Sequence, residues 1–301
     1  MSDVLVKALL NGEAAVCACD ISKMAEQARA THEALPIGTI ILGRTMAATV
    51  MMCATLKNKK DKLTLMINGG GPAGTVMATG GEDLKVKAYV ANPQVDMPRA
   101  EKGGFDIGGA VGAAGFLTVI KDLGLKEPFM GKVELVSGEI GEDVAQYYLL
   151  SEQQPSVVYV NTWLEVDMTV LNAGGLMVSP LPGCGEETLA GVEARAKEIV
   201  NFPLYRMQDS VEGVLRKIFD GMELQFLEER TPVFTCDCNR DRLSRVVISL
   251  GEEEINDMIE KDNGAQIKCH FCNKAYDFSA DELRELLRTA KDNRERGKNG
   301  E

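Results

Sequence analysis

Four cysteines near the end of the chain constrain its fold more than any other feature of the sequence. They form two close pairs, Cys236-x-Cys238 and Cys269-x-x-Cys272, which are separated by thirty residues. Each pair can place two sulfurs on one side of a turn, as a tetrahedral site of one zinc ion and four cysteines requires. The first pair is one residue tighter than the usual spacing of such pairs. Asn239 and Asn273 each directly follow a pair, and because asparagine tolerates left-handed geometry, we expect the chain to turn at both. The sequence therefore predicts one zinc ion per chain, bound by these four residues.

The segment that contains these cysteines, 232–301, is small and polar. Of its 70 residues, 27 are charged. A domain below about 70–80 residues seldom buries enough apolar surface to be stable, and a disulfide or a metal usually supplements its core. We expect a small C-terminal zinc domain that depends on its metal for stability.

Three functions are open to such a cluster. The zinc site can be purely structural. The cluster can instead contain a catalytic dithiol of the thioredoxin type, although no long helix of a βαβ unit follows Cys269-His270-Phe271-Cys272. It can also be a zinc-bound redox switch, because sulfurs about 3.8 Å apart around zinc are close to the separation of about 2.05 Å in a disulfide. Oxidation would then remove the metal ligands and unfold the domain.

Charge and the first residues limit the location and partners of the protein. The net charge is −12 over 301 residues. A protein this acidic lacks the positive field that concentrates proteins on nucleic acid or on anionic lipid, so we expect neither as a partner. The opening residues, Met1-Ser2-Asp3-Val4, do not resemble a secretory signal. Eight cysteines without such a signal indicate metal or redox chemistry in the cytoplasm.

Residues 1–180 predict a large N-terminal core domain of mixed α/β composition, in the α+β class. Short apolar runs indicate strands, and the links between them are often too short for helical crossovers, which favours antiparallel pairing. The longest apolar stretch, Ala34–Leu56, contains Arg44 and is predicted to be a buried helix and not a membrane span. The predicted strands are 63–67, 85–90, 116–120, 132–136 and 157–160, and further helices are predicted at 22–30 and 142–151.

A helical linker is predicted at 181–231, and it begins within the segment Pro180–Gly185, which is rich in proline and glycine. Apolar residues at helical spacing indicate one helix over 186–200, ended by Pro203, and a second after Asp209, which we expect to be its N-cap. Helices of three to four turns are marginal in isolation. We therefore expect the linker to be stable only while it is docked on a neighbour.

Other motifs carry weaker signals. The glycine-rich run 69–74 matches GxGxxG, but further glycines follow within six residues, so we predict a hairpin turn and no dinucleotide site.

We expect His32 to have a surface or capping role, and Cys17, Cys19 and Cys53 to pack in the core as small apolar residues. Cys184, between two glycines, could be exposed and reactive. No nucleophile elbow is present, and we predict no enzymatic activity.

These features together resemble the 33 kDa heat-shock protein family, the bacterial redox-regulated holdase chaperones. The resemblance covers nearly the whole chain. Besides the four cysteines, it is carried by Leu42-Gly43-Arg44, Lys121-Asp122-Leu123-Gly124, Ser137-Gly138-Glu139-Ile140-Gly141-Glu142-Asp143, Tyr147-Tyr148, Ser151-Glu152-Gln153 with Pro155-Ser156, Ala173-Gly174-Gly175 and Leu181-Pro182-Gly183.

The resemblance implies a chaperone that holds zinc and is inactive when reduced. It implies that disulfides Cys236–Cys238 and Cys269–Cys272 form under oxidative stress, that zinc leaves, and that the switch and linker unfold. The protein, as a homodimer, would then hold unfolding client proteins without ATP. The four other cysteines, Cys17, Cys19, Cys53 and Cys184, are not needed by this switch, which leaves open whether further disulfides form.

Two other functions remain as alternatives. A zinc-ribbon protein that binds nucleic acid or the translation machinery would need basic and aromatic residues near the site. The sequence offers Arg240, Arg242, Arg245, Lys268, Lys274, Phe271 and Tyr276, among several acids. A thiol oxidoreductase would instead turn over a dithiol substrate.

Overall fold

The computed structural model of the chain describes residues 2–100 and 103–298, which form two compact units, Met1–Thr235 and Cys236–Glu301. Helices and sheets occur in both units, which confirms the predicted α+β class. The predicted linker helices belong to the first unit. The division into 1–180, 181–231 and 232–301 stays a prediction.

The first unit contains a five-stranded antiparallel sheet, with the strand order β10-β1-β2-β9-β8 among the described residues. Its first hairpin turns at Asn11 and Gly12, which both have positive φ, as the tightest hairpin turns require. The strands are β1 (Val4–Leu10), β2 (Ala14–Asp20), β8 (Val157–Leu164), β9 (Val170–Pro180) and β10 (Leu224–Arg230).

A six-stranded sheet in the same unit has the order β11-β5-β4-β3-β6-β7. Its pairs are antiparallel except for β11, which lies parallel to β5. The glycine-rich run 69–74 lies in the connection between antiparallel strands β3 and β4, which confirms the hairpin prediction. The strands are β3 (Lys62–Asn68), β4 (Val76–Gly81), β5 (Lys85–Val90), β6 (Phe116–Asp122), β7 (Phe129–Glu134) and β11 (Val233–Phe234).

Helix α2 (Pro36–Cys53) is the central element of the first unit and packs against strands of both sheets. It is long and apolar enough to cross a membrane, but 89% of it is buried inside the protein, so it is a core helix, as predicted. Three further helices complete this part: α1 (Ser22–His32), α3 (Ile107–Val111) and α4 (Gly141–Leu150). His32 is only 5% exposed, so the predicted surface position is wrong, and its Nε2 lies 3.0 Å from the Ala88 carbonyl oxygen.

Strand β2 separates two apolar clusters, because its alternate residues point to opposite faces of the sheet. Cys17 and Cys19 belong to the larger cluster, which includes α2. Val16 and Ala18 belong to a second cluster that the linker helices cover. Both faces of this strand are therefore buried.

The linker differs in detail from its prediction. The expected helix over 186–200 is divided into α5 (Glu186–Glu193) and α6 (Ala196–Val200). Pro203 does not end a helix but lies in the first turn of α7 (Phe202–Arg206), where proline is tolerated. Helix α8 (Val211–Ile218) is capped by Ser210, which accepts a hydrogen bond from the Gly213 N–H, and not by Asp209. Strand β10, the last element of the predicted linker range, is not predicted by the sequence, because charged residues at 228–230 interrupt the alternation of polar and apolar residues.

The second unit has a small core between three helices and a hairpin. Its buried apolar residues come from every one of these elements and include Val247, Ile255, Phe278 and Leu283. The elements are α9 (Arg240–Leu250), α10 (Glu252–Lys261), β12 (Gly264–Lys268), β13 (Ala275–Ser279) and α11 (Ala280–Lys298).

Candidate metal centre

The first cysteine pair lies where the chain enters helix α9. Cys236 and Cys238 precede Asn239, whose side chain accepts a hydrogen bond of 2.9 Å from the Arg242 N–H and caps the helix. The backbone of Asn239 is extended, with φ −145°, so the left-handed turn expected there is wrong. The helix cap, and not a left-handed turn, fixes the direction of this segment.

The second pair lies in the loop of the β12–β13 hairpin. Asn273 directly follows Cys272 and is left-handed, with φ 58°, as the sequence predicted. Its N–H donates to the Cys269 carbonyl at 2.8 Å, and the Cys269 N–H donates to the Lys274 carbonyl at 3.0 Å. These bonds close a tight loop that turns both cysteine side chains in one direction.

The four sulfurs converge, and all lie within 4.8 Å of one another. Cys236 Sγ is 3.7 Å from Cys269 Sγ, and Cys238 Sγ is 3.3 Å from Cys272 Sγ. Four thiolates around zinc at about 2.3 Å would be about 3.8 Å apart. The residue set and its spacing therefore fit a tetrahedral site for a soft divalent metal such as zinc. Each residue predicted to be a ligand takes part in this cluster.

Tyr276 takes part in the site in a way that the sequence did not predict, since there it was only one of the aromatic residues near the cysteines. Its hydroxyl donates to the Cys238 carbonyl at 3.1 Å and lies 3.3 Å from Cys238 Sγ. Hydrogen bonding to Cys238 raises the pKa of Tyr276 to about 12. Burial raises the pKa of Cys238, but hydrogen bonds from Tyr276 and the other thiols outweigh this effect and lower it to about 7. The only sequence signal was the alternation of Tyr276 with Phe278 along β13.

Two of the basic residues near the centre are bound to carboxylates. Arg240 lies 2.6 Å from Glu282, and Arg242 lies 2.7 Å from Asp237. The Arg240 guanidinium also stacks 4.6 Å from the centre of the Phe278 ring. These contacts stabilise the unit and partly neutralise the basic groups that a zinc ribbon would use on nucleic acid.

The three cysteines of the first unit's core are chemically unlike the four that converge. Cys17, Cys19 and Cys53 are buried, as predicted. Burial raises the pKa of Cys17 and Cys53 to about 12, and that of Cys19 well above its ordinary value. Such thiols stay protonated at neutral pH and react slowly with oxidants. Cys184 is partly exposed.

A second functional feature is the apolar face of the five-stranded sheet. It is formed by residues of β1, β2 and β9 and is covered by helices α5–α8. Phe202 and Leu215 of these helices, and Phe219 directly after α8, are fully buried. We call it the covered face. Its buried residues on β1, β2 and β9 are all aliphatic, and Tyr159 of β8 and Phe226 of β10 pack against them. The aliphatic residues are Val6, Ala8, Leu10, Ala14, Val16, Ala18, Leu176 and Val178.

Polar contacts fix the covering helices at two places. At one end, Thr188 on α5 donates to Glu13 Oε2 at 2.6 Å and accepts from the Asn11 side chain at 3.1 Å. At the other end, Arg206 on α7 forms a buried ion pair of 2.8 Å with Asp20, and both side chains are 5% exposed. The cover is therefore held by two polar anchors with apolar packing between them.

Comparison with known proteins gives one consistent result. The family model described as Hsp33 protein matches residues 3–279. A protein named 33 kDa chaperonin from Alkaliphilus metalliredigens is 40% identical over 289 residues, which are 95% of this chain and 99% of that protein. Another of that name, from Clostridium acetobutylicum, is 38% identical over 297 residues, 98% of this chain and all of that protein.

A solved structure is also similar. The crystal structure of the 33 kDa chaperonin, a heat shock protein 33 homologue, from Thermotoga maritima superposes with a TM-score of 0.87 at 33% sequence identity. The superposition covers 97% of this chain and 99% of that one. The likeness therefore extends over both compact units.

Proposed function

The chain belongs to the Hsp33 protein family, and from this we propose that it is a redox-regulated, ATP-independent holdase. In this proposal it is inactive when reduced and becomes active when its cysteine centre is oxidised. Family membership supports chaperone function, since the relatives are named chaperonins and not enzymes. The redox control, the clients and the cytoplasmic location belong to the proposal.

The ligands in the reduced state would be Cys236, Cys238, Cys269 and Cys272, holding one zinc ion. The convergence of their four sulfurs is the observation that carries the proposal. Bound zinc would keep the thiolates deprotonated at neutral pH and would connect the entry of α9 to the β12–β13 loop. The helices and the hairpin of the second unit contribute the rest of its core.

Oxidation is the proposed signal. A thiolate of each pair attacks one oxygen of peroxide, the O–O bond breaks, and the sulfur becomes a sulfenic acid while the departing hydroxide takes a proton from solvent and leaves as water. The neighbouring thiolate then attacks the sulfenic sulfur, and its hydroxyl leaves as water with a second proton from solvent as the disulfide forms. Each disulfide thus consumes one peroxide and two protons and releases two waters. We propose the pairs Cys236–Cys238 and Cys269–Cys272. The close contacts of Cys236 with Cys269, and of Cys238 with Cys272, provide a competing pairing that the experiment must distinguish.

Loss of the ligands should unfold the second unit. Its core has few buried apolar side chains, and structural zinc contributes an apparent free energy of about 10–16 kcal/mol in domains of this kind. The short linker helices, which depend on docking, are the next elements to leave. The covered face would then bind apolar segments of unfolding proteins, with the active form a homodimer.

Zinc and thiols measured together test this proposal. Peroxide with mild warming should release about one zinc per chain, remove four thiols and switch on suppression of client aggregation. Mapping of disulfides by mass spectrometry assigns the pairs. Cys272→Ser should abolish zinc binding, whereas the matched variant Cys184→Ser should behave like the wild type. Full aggregation suppression by the reduced, zinc-bound protein would contradict the proposal.

A further inference from the structure

Strand β11 is a two-residue strand that closes one edge of the six-stranded sheet. Val233 lies opposite Lys85 and Phe234 opposite Val86, in parallel orientation. The Val233 N–H donates to the Leu84 carbonyl and the Thr235 N–H to the Val86 carbonyl, both at 3.0 Å. In sequence, β11 ends two residues before Cys236.

One side chain provides the apolar part of this contact. Phe234 is 5% exposed and belongs to the larger core cluster, whereas Val233 is 45% exposed. Upstream, Arg230 forms an ion pair of 3.2 Å with Glu82, at the turn that leads into β5. The segment 230–235 is thus held by backbone hydrogen bonds, by one buried aromatic ring and by one ion pair.

The part of the β5 edge that can pair with another strand is short. Residues two apart along a strand point their carbonyls to the same side, so Val86 and Ala88 share one edge of β5. The Leu84 carbonyl, directly before the strand, also accepts from segment 230–235. Segment 230–235 occupies the first two carbonyls, and His32 Nε2 lies 3.0 Å from the third. The edge therefore offers two backbone acceptors beside one apolar pocket, and the imidazole ring ends it.

We propose that this β5 edge is a strand-addition site for extended segments of unfolding proteins, and that 230–235 occupies it in the reduced protein. The inference rests on the proposed function, because it requires unfolding of the cysteine unit to free the adjoining segment. A client segment would donate two backbone N–H groups to the Leu84 and Val86 carbonyls. It would place one large apolar side chain where Phe234 now lies.

The chemistry of the site suits a binder of many sequences. Backbone hydrogen bonds at a sheet edge do not depend on side chains, and a single pocket selects only for apolar size. The outward position, taken by Val233, accepts any residue. Two hydrogen bonds and one ring also form a contact weak enough for the chain to release. An exposed edge of this kind would invite aggregation, which explains why it is covered at rest.

Site-specific photo-crosslinking in the full-length protein tests the proposal. The variant Lys85→p-benzoylphenylalanine places a photoreactive group opposite Val233. The control, Lys62→p-benzoylphenylalanine, places the group at an exposed position of interior strand β3. The client probe is reduced and carboxymethylated α-lactalbumin, which is permanently unfolded and has no free thiols.

The reduced, zinc-bound Lys85 variant should crosslink to its own segment 230–235. After oxidation it should crosslink to the client instead, with a gain of about tenfold over the reduced state, and the Lys62 variant should show no such gain. A peptide with the sequence of 230–235 should compete, and the same peptide with alanine for phenylalanine should not. Persistence of the internal crosslink in oxidised protein that holds client would overturn the inference and leave the proposed function intact.

Two matched variants separate release of the edge from oxidation. Phe234→Ala removes the buried ring, so the reduced protein should already crosslink to the client at position 85. Val233→Ala changes the exposed neighbour and should keep the edge covered. Equal crosslinking in both variants would overturn the role of the pocket. Oxidised wild-type protein that holds no client at all would overturn the proposed function and this inference with it.

Discussion

The Asp143 carboxylate organises the chain at the start of helix α4. It is fully buried and accepts hydrogen bonds from the N–H groups of Val136, Ser137, Gly138 and Ile140, at 2.7 to 3.4 Å. Ile140 has φ 73°, which is strained for a β-branched residue. The carboxylate therefore stabilises a backbone turn that the sequence alone would not favour.

Replacement of this carboxylate should be costly. Asp143→Asn keeps the size but replaces one acceptor oxygen with an amide that donates toward N–H groups. We expect the free energy of unfolding in urea to fall by about 2–4 kcal/mol. The neighbouring exposed residue provides the control, since Glu142→Gln should change the free energy of unfolding by less than about 0.5 kcal/mol. A similar small loss in both variants would contradict this role.

Glu13 gives the linker anchor a pH dependence. Hydrogen bonds from the Thr188 hydroxyl and the Gly185 N–H lower the pKa of Glu13 below its ordinary value of 4.5. A lowered pKa stabilises the docked state above pH 4.5, and this contribution is lost as the pH falls through the folded-state pKa. The urea midpoint of the wild type should therefore exceed that of Glu13→Gln at neutral pH, and the difference should vanish in acid. A difference that is constant with pH would exclude this effect.

At the residue scale, the four cysteines that the sequence singled out converge in the structure, whereas the buried polar anchors were not predicted. Ligand spacing is local, so the two cysteine pairs could be read directly from the chain. The partners of Cys238, Asp20 and Glu13 are 38, 186 and 175 residues away, respectively. Only the folded chain brings such partners together.

At the element scale, the docked linker depends on its ion pair. Arg206→Ala would leave the Asp20 carboxylate buried without its cation, and loss of one partner of a buried pair costs about 3–5 kcal/mol. We expect faster hydrogen exchange in α7 and α8, and activation of the reduced protein by milder warming. Arg284→Ala is the control, because it removes an exposed ion pair with Asp281 worth less than about 1 kcal/mol. Unchanged exchange in the Arg206 variant would show that apolar packing alone holds the linker.

The element predictions succeeded where periodicity was strong. Strand β5 was predicted residue for residue, and the buried character of α2 followed from its composition. Boundaries failed where side chains decide them, as with Ser210 in place of Asp209 at the start of α8. Strand β11 is too short for any periodic signal, and only its partner β5 makes it a strand.

At the scale of the whole molecule, the two units should differ in their dependence on metal. A strong chelator without oxidant should remove the metal and increase hydrogen exchange in α9, α10, β12 and β13, whereas α2 and strands β3–β6 should stay protected. Circular dichroism should show a loss of helix, and re-addition of zinc should reverse it. A unit that keeps its protection without metal would contradict the metal-dependent stability inferred from its small core.

The two buried faces of β2 have a consequence for how the chain folds. Side-chain polarity normally fixes the alignment of a strand, because a slip by one residue would expose the apolar set. In β2, a slip by one residue would place Val16 and Ala18 on the face where Cys17 and Cys19 now lie. The environment on both faces would still be apolar. Alignment must therefore come from the ends, from the Asn11-Gly12 turn and from Asp20. Misalignment of β2 is therefore a route to misfolding within this chain, and one turn and a single carboxylate oppose it.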